Sequence, residues 1–463
     1  MKKKLGIHPT VSYLLFFFLL LTAYFPSFQA EWHFDDSANI LDNSPLHLTE
    51  LTPSALKRTF FAYPEREGKL LRPVSNFRFA LNWFFHQDRV FGYHLVNFLI
   101  HFLTAIFLYK SCLLLLASPK VSTKYYESRY FIATLAALLW ALHPIQTQAV
   151  TYIVQRMASL AAMFTIIGIW CYLRARKLPR NDRKKQTGYY LGTFIAFLLA
   201  LGSKENAVLF PASIVLIELF FFRKNIRLSR QNILMLMLAV IFVLCFTMIL
   251  TGPKFFTSLF TADPNRSFTP GQRMLTQPRI IIFYLSQLFY PTPFRLSITH
   301  DVQLSTSLLT PVTTLLSIIF LALFIVLTFS YNKRHSLFSF SLLFFLLNHT
   351  VESTFLNLEI IFEHRNYLPS FFLFLPLATV TAKLLQRSSK LIPLITSATT
   401  ILLIIFLLLA TIARNMVWMT EQTLWTDALK KAPGHTRPYI NLAYNYLSQN
   451  NLKKAFEYYW MSL

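Results

Sequence analysis

The sequence predicts an all-α, polytopic membrane protein with about eleven transmembrane helices. Of its 463 residues, 54% are hydrophobic and 47 are Phe, with only 10 Gly, a balance far too apolar for a water-solvated fold. The apolar residues gather in long runs of bilayer-spanning size, and the charged residues, 14% of the chain, fall in short bursts between them.

In chain order the spanning segments are 10–29, 92–117, 129–142, 157–173, 188–202, 206–222, 232–250, 309–330, 336–349, 367–385 and 391–412. Several are short for a bilayer, so flanking residues must complete them. The first follows Lys2-Lys3-Lys4 and is expected to stay as an anchor, because Pro26, Phe28 and Gln29 make a poor cleavage site. Segment 278–292 is apolar too, and its role sets the topology. If it lies on or dips into the surface, as Pro291 and Pro293 suit, the loops 118–128, 174–187, 223–230, 333–335 and 383–390 all become cytoplasmic, and each carries Lys or Arg. The N-terminus is then inside, the C-terminus outside, and the polar segments 30–91, 143–156, 251–308 and 350–366 share the outer face.

Lys and Arg outnumber Asp and Glu 44 to 20, a net charge of +24. The densest runs are short loops such as Arg174 to Lys177, which serves topology and excludes a nucleic-acid reading. Cys112, Cys171 and Cys245 lie within apolar runs and are expected to be buried free thiols. Beyond residue 415 the composition turns polar. There Trp425, Ala428, Pro433, Tyr439 to Tyr446, Ala455 and Tyr459 keep the small and aromatic spacing of about one and a half tetratricopeptide units. Such units need about three to bury their faces, so residues 416–463 must pack on something else.

Scarce acid on the outer face marks the first candidate site. Asp35 and Asp36 open the 30–91 loop; vicinal carboxylates beside apolar surface raise one pKa toward the range of a general base, while the bland reading is a turn after the first helix. Arg365, in Phe362-Glu363-His364-Arg365-Asn366-Tyr367, is placed to grip a phosphate at headgroup level, with Glu363 pairing with it or another base. Gln148 and Arg156 at two-turn spacing would share a helical face after His143-Pro144, where Pro144 punctuates the helix. Lys204, in a tight outer turn, would neutralise a phosphate or pair with Glu205. His94, Asn97 and His101 form a polar stripe better read as helix-to-helix hydrogen bonding than as ligands, since no carboxylate accompanies them to make a metal site.

The order of these motifs resembles one family. Asp35-Asp36 with Ala38-Asn39-Ile40, Leu71-Arg72-Pro73 with Asn82, Tyr93-His94 with Asn97 and His101, His143-Pro144, Ser203-Lys204-Glu205, Arg365 to Pro369 and the tail are similar to the transmembrane and tetratricopeptide-repeat-containing O-mannosyltransferases, relatives of the GT-C glycosyltransferases. The sequence departs where that family has Glu and this chain has Gln148, at Arg156-Met157-Ala158, and in its short repeat array. The resemblance implies a GT-C catalytic domain over 1–415 and the repeat segment over 416–463. It implies transfer of a mannose-like hexose, with inversion, from a polyprenyl-phosphate carrier to a Ser or Thr hydroxyl of an acceptor protein or peptide, on the extracytoplasmic face; the Lys-rich start and the expected lack of disulfides fit a bacterial inner membrane with a periplasmic active face, with an endoplasmic reticulum protein as the alternative. Asp35 is then the base and Asp36 its helper, with the opposite assignment as the alternative. Arg365, Lys204 and Arg156 hold the donor phosphate, and His143, Arg72, Glu205, Glu363 and His94 are further site candidates. Membrane lipids surround the chain, no resident cofactor is implied, and a need for divalent metal stays open. The competing classes are a GT-C enzyme acting on lipid or glycan, a transporter or flippase, and a scaffold using the tail.

Overall fold

The computed structural model describes residues 5–62, 70–121, 125–179, 181–223, 266–331, 336–354, 356 and 358–463. The expected span 232–250, Cys245, Pro64, Asn265 and Lys333-Arg334 lie outside them. Among the described residues all regular structure is helical. The helices are α1 (Pro9–Tyr24), α2 (Pro53–Thr59), α3 (Pro73–His86), α4 (Val90–Leu116), α5 (Arg129–Ala141), α6 (Thr147–Val150), α7 (Arg156–Lys177), α8 (Arg183–Leu201) and α9 (Phe210–Ile217). They continue with α10 (Pro270–Phe289), α11 (Thr313–Tyr331), α12 (Ser336–His349), α13 (Leu375–Leu385), α14 (Leu391–Val417), α15 (Glu421–Lys431), α16 (Thr436–Ser448) and α17 (Leu452–Met461).

Pro9, Pro53 and Pro73 each stand in the first turn of their helix, where the missing N–H costs nothing. Five helical stretches among the described residues are long and apolar enough to cross a bilayer: Pro9–Gln29, Val90–Leu116, Ile153–Lys177, Glu205–Phe222 and Leu391–Val417. The pair Tyr126–Ala141 and Pro144–Val150 passes the same test together with a 52° bend, and this protein is a multi-pass membrane protein. The bend falls at His143-Pro144, where proline cannot continue the helical hydrogen-bond ladder. Helix α10 holds Arg273, Gln277, Pro278 and Arg279 and is not among the crossing helices. Residues 367–374, expected to begin a span, are turns, and the helix starts at Leu375.

The buried core is built by α1, α4, α5, α7, α12, α13 and α14, with Trp140, Tyr109 and Phe344 fully enclosed. Cys112 and Cys171 are buried free thiols. A second core joins the first polar loop to the tail, through Ile40, Phe79, Tyr152, Trp418 and Trp425. Several polar side chains inside the bundle are paired across helices, where an orphaned group is expensive. Ser12 bonds Thr134 at 2.7 Å, Asn415 Nδ2 donates to the Ala23 carbonyl at 2.8 Å, and Thr151 donates to Asn415 Oδ1 at 2.5 Å. His101 reaches the Tyr367 hydroxyl and the Ala141 carbonyl, and His94 the Ala30 carbonyl, so the predicted stripe on α4 stitches helices together.

Candidate functional site

The chain leaves α1 through Phe25–Gln29 and turns sharply at Phe34, whose φ of 41° is left-handed and therefore costly for an aromatic residue. That turn separates the two acids. Asp36 is fully buried, and each of its oxygens accepts a backbone N–H, from His33 at 2.9 Å and from Val154 at 2.7 Å. Burial pushes its pKa up to about 7, against the pull of those donors and of His33. Asp35 is half-buried; its own N–H donates to the Tyr152 hydroxyl at 2.8 Å. So Asp36 fastens the loop to residues 152–154, and Asp35 is the carboxylate set at the edge of that fastening.

Residues 143–156 are fully folded in, and the structure corrects the shared face expected of Gln148 and Arg156. Helix α6 ends at Val150 and a second short turn covers Ile153–Gln155, so the two side chains diverge. Arg156 is enclosed by Asn97 Oδ1 at 2.6 Å, Asn82 Oδ1 at 2.5 Å and the Tyr93 carbonyl at 2.9 Å. It ties α3 and α4 to α7. Gln148 Oε1 instead accepts the His364 N–H at 2.8 Å, which brings the 147–152 segment against the 363–366 turn. His143 bonds the Leu288 carbonyl at 3.1 Å and the Ile145 N–H at 3.2 Å, a bend-fixing role.

The basic half of the site gathers around residues 352–366. Arg365 is buried and donates to the carbonyls of Glu359 at 2.7 Å and Ile360 at 3.3 Å. Glu363 does not pair with it: its carboxylate accepts the Ser297 N–H at 2.6 Å and faces His300 at 3.0 Å. Lys204 likewise passes over Glu205 and pairs with Glu352 at 2.8 Å, while Glu205 is gripped by Arg72 Nε at 2.9 Å and Nη2 at 3.0 Å. Burial alone would raise Glu352, but Lys204 and Arg365 hold it below the usual range. Burial, Lys204, Arg365 and Arg72 together push His364 well down, to the neutral ring.

Several residues that the sequence did not single out complete the arrangement. Arg273 donates to the carbonyls of Glu352, Thr354, Leu358 and Glu359. Arg266 and Arg437 both reach Glu359 Oε1, at 2.5 and 2.6 Å. Arginines scattered through a basic chain carry no periodic signal, and only contact with one carboxylate unites them. Gln148 Nε2 and His364 Nδ1 are buried without a protein hydrogen-bond partner, the kind of group that gains most from an ordered water or polar ligand. Among the described residues no three His, Cys, Asp or Glu side chains are grouped to hold a metal ion.

The acid edge and the basic cluster lie in the loops at one end of the helical bundle, joined through Tyr152, Gln148 and His364. A multi-pass helical membrane protein with such a loop-built polar site is the class these features define. No protein-family model matches the chain. Its sequence is similar to curated protein O-mannosyl-transferases: human TMTC3, 30% identical over 167 residues that make 35% of this chain and 17% of that protein; Drosophila melanogaster Tmtc3, 29% identical over 43% of this chain and 23% of that one; and F38B6.6 of Caenorhabditis elegans, 23% identical over 96% of this chain and 61% of that one. The match therefore covers less than two thirds of each relative's length. The resemblance carried by the motif order is the one these relatives bear out. Among solved structures, ArnT from Cupriavidus metallidurans in the apo state aligns with a TM-score of 0.48 at 11% identity, over 91% of this chain and 77% of that one, and its form bound to undecaprenyl phosphate with a TM-score of 0.45 at 12% identity.

Proposed function

We propose that the protein transfers a sugar, a mannose-like hexose, from a polyprenyl-phosphate carrier to a Ser or Thr hydroxyl of a protein acceptor on the extracytoplasmic face. The observation that carries this reading is the division of labour at the acid pair, within one contact network that ends in buried cations. Asp36 has both oxygens occupied by backbone donors and acts as the positioning partner; Asp35, at the edge, is the base. As the acceptor oxygen bonds the anomeric carbon, Asp35 takes its proton, and the bond from that carbon to the phosphate oxygen breaks with its electron pair staying on the phosphate. Attack from the face opposite the leaving group inverts the anomeric centre. Arg365 and Lys204 neutralise the departing phosphate charge, the main electrostatic demand of the step. Arg72, Glu205, Glu363 and Arg156 shape the surrounding loops. The similarity to named protein O-mannosyl-transferases supports the protein acceptor.

Incubating membranes with labelled polyprenyl-phosphate mannose and a crude protein acceptor should give protease-sensitive label, and Asp35→Asn should abolish it while the protein still folds into membrane. Full transfer by Asp35→Asn would sink the assignment. Label that survives protease would point to a lipid or glycan acceptor.

A further inference from the structure

The tail does more than pack on the loop. Its first helix, α15, sets Trp425 edge-on against Phe34, with ring centroids 5.6 Å apart. From the first turn of α16, Arg437 places its guanidinium 5.4 Å from the centre of the same Phe34 ring and donates through Nη2 to Glu359 Oε1 at 2.6 Å. Phe34 is the residue held in the left-handed conformation directly before Asp35. Glu359 is the residue whose carbonyl Arg365 grips. One side chain of the tail thus touches the residue before the base and the residue that anchors the phosphate-binding arginine.

We infer that Arg437 is a positioning residue that fixes the separation between Asp35 and Arg365, so that residues 416–463 form part of the site instead of an appended repeat. This role rests on the glycosyl-transfer reading above. The chemistry suits arginine: a planar guanidinium lies over an aromatic ring and donates to a carboxylate at once, whereas an ammonium does one of these well. A left-handed Phe persists only where its surroundings over-determine it, and Trp425 and Arg437 are those surroundings.

The full chain in lipid nanodiscs serves for the test, as wild type, Asp35→Asn, Arg437→Ala and Arg437→Lys. Two readouts are followed: transfer kinetics, and amide hydrogen exchange over 31–42 and 358–366. Arg437→Ala should lower kcat roughly ten- to a hundredfold with the KM for acceptor and donor unchanged, the scale of a small misplacement of reacting groups. Exchange in both segments should quicken, and Arg437→Lys should recover part of kcat. Unchanged kcat in Arg437→Ala overturns the role, as does a rise in acceptor KM at constant kcat, which would mark direct acceptor contact. A wild-type chain that transfers no sugar condemns the glycosyl reading instead. Even then, unchanged exchange in Arg437→Ala would show that no clamp exists.

Discussion

At adjacent positions the chain puts one carboxylate in a cage of backbone donors and sets the other at the cage's edge. The folded chain keeps the Asp36 proton up to about pH 7, whereas an unperturbed Asp loses it near 3.8. Between those values the native state binds more protons than the unfolded one, so stability falls as pH rises through the window. His33 acts in the same sense. Burial alone would lower it, but Glu421, at 2.5 Å, holds it raised above 6.5, so its contribution is complete below 6.5 and fades as pH climbs through the folded value. Buried His364, held neutral, works the other way over the same range, so the Asp36 share shows as a difference: the stability advantage of the wild type over Asp36→Asn should shrink from about pH 4 to about pH 7. Near pH 4 Asp36→Asn should lower stability by about 1–3 kcal/mol, because its amide sets a donor against one of the two N–H groups. A wild-type advantage that grows across the same range would contradict this account. Both acids were legible in the sequence as scarce charge. Their division was not, since it depends on the Val154 N–H, 118 residues away.

Among the elements, the turn between α8 and α9 has a second function hidden from any helix pattern. The Gly202 carbonyl accepts the Val74 N–H at 2.9 Å, joining that turn to the start of α3 beside the Arg72–Glu205 ion pair. A Cβ on Gly202 would sit 2.8 Å from Val74 Cγ2 and 3.3 Å from the Leu198 carbonyl oxygen. Val74 is β-branched and stiff, so Gly202→Ala must push α3 away, at a cost of about 1–3 kcal/mol. A lower melting temperature and a weakened Arg72–Glu205 contact are expected; a variant as stable as wild type would show that the turn yields freely. Ser203-Lys204-Glu205 stood out in the sequence as a charged turn, but local pairing of Lys204 with Glu205 was the natural guess. Folding prefers Glu352 because that buried carboxylate has lost its water and an unpaired charge there costs about 3–5 kcal/mol.

For the molecule as a whole, contacts bring 30–62, 143–156, 293–300, 358–366 and the tail together, and these segments are expected to share one side of the membrane. Glu31 donates its backbone N–H to the Met419 carbonyl and accepts the Glu421 N–H on its carboxylate, and Lys431 donates to the carbonyls of Pro293 and Leu296. Single cysteines at Ser54, Thr306 and Asn451, in a chain stripped of its own thiols, should react together with a membrane-impermeant maleimide. One at Lys184 should react only after permeabilisation. Labelling of Lys184→Cys in step with the other three would refute the arrangement.

Hydrophobic run length and charge placement were enough to determine a helical membrane protein, because a bilayer forces every backbone group to find its partner within its own helix. Composition also exposed the acid pair, Lys204 and Arg365 as anomalies, and the motif order pointed to the relatives. The tertiary structure decided which polar groups meet: Lys204 with Glu352, Arg156 with Asn82 and Asn97, Arg437 with Glu359. Those choices turn on long-range desolvation and geometry, which no local pattern encodes. The tail's contacts with the left-handed Phe34, through Trp425 and Arg437, were decided in the same way.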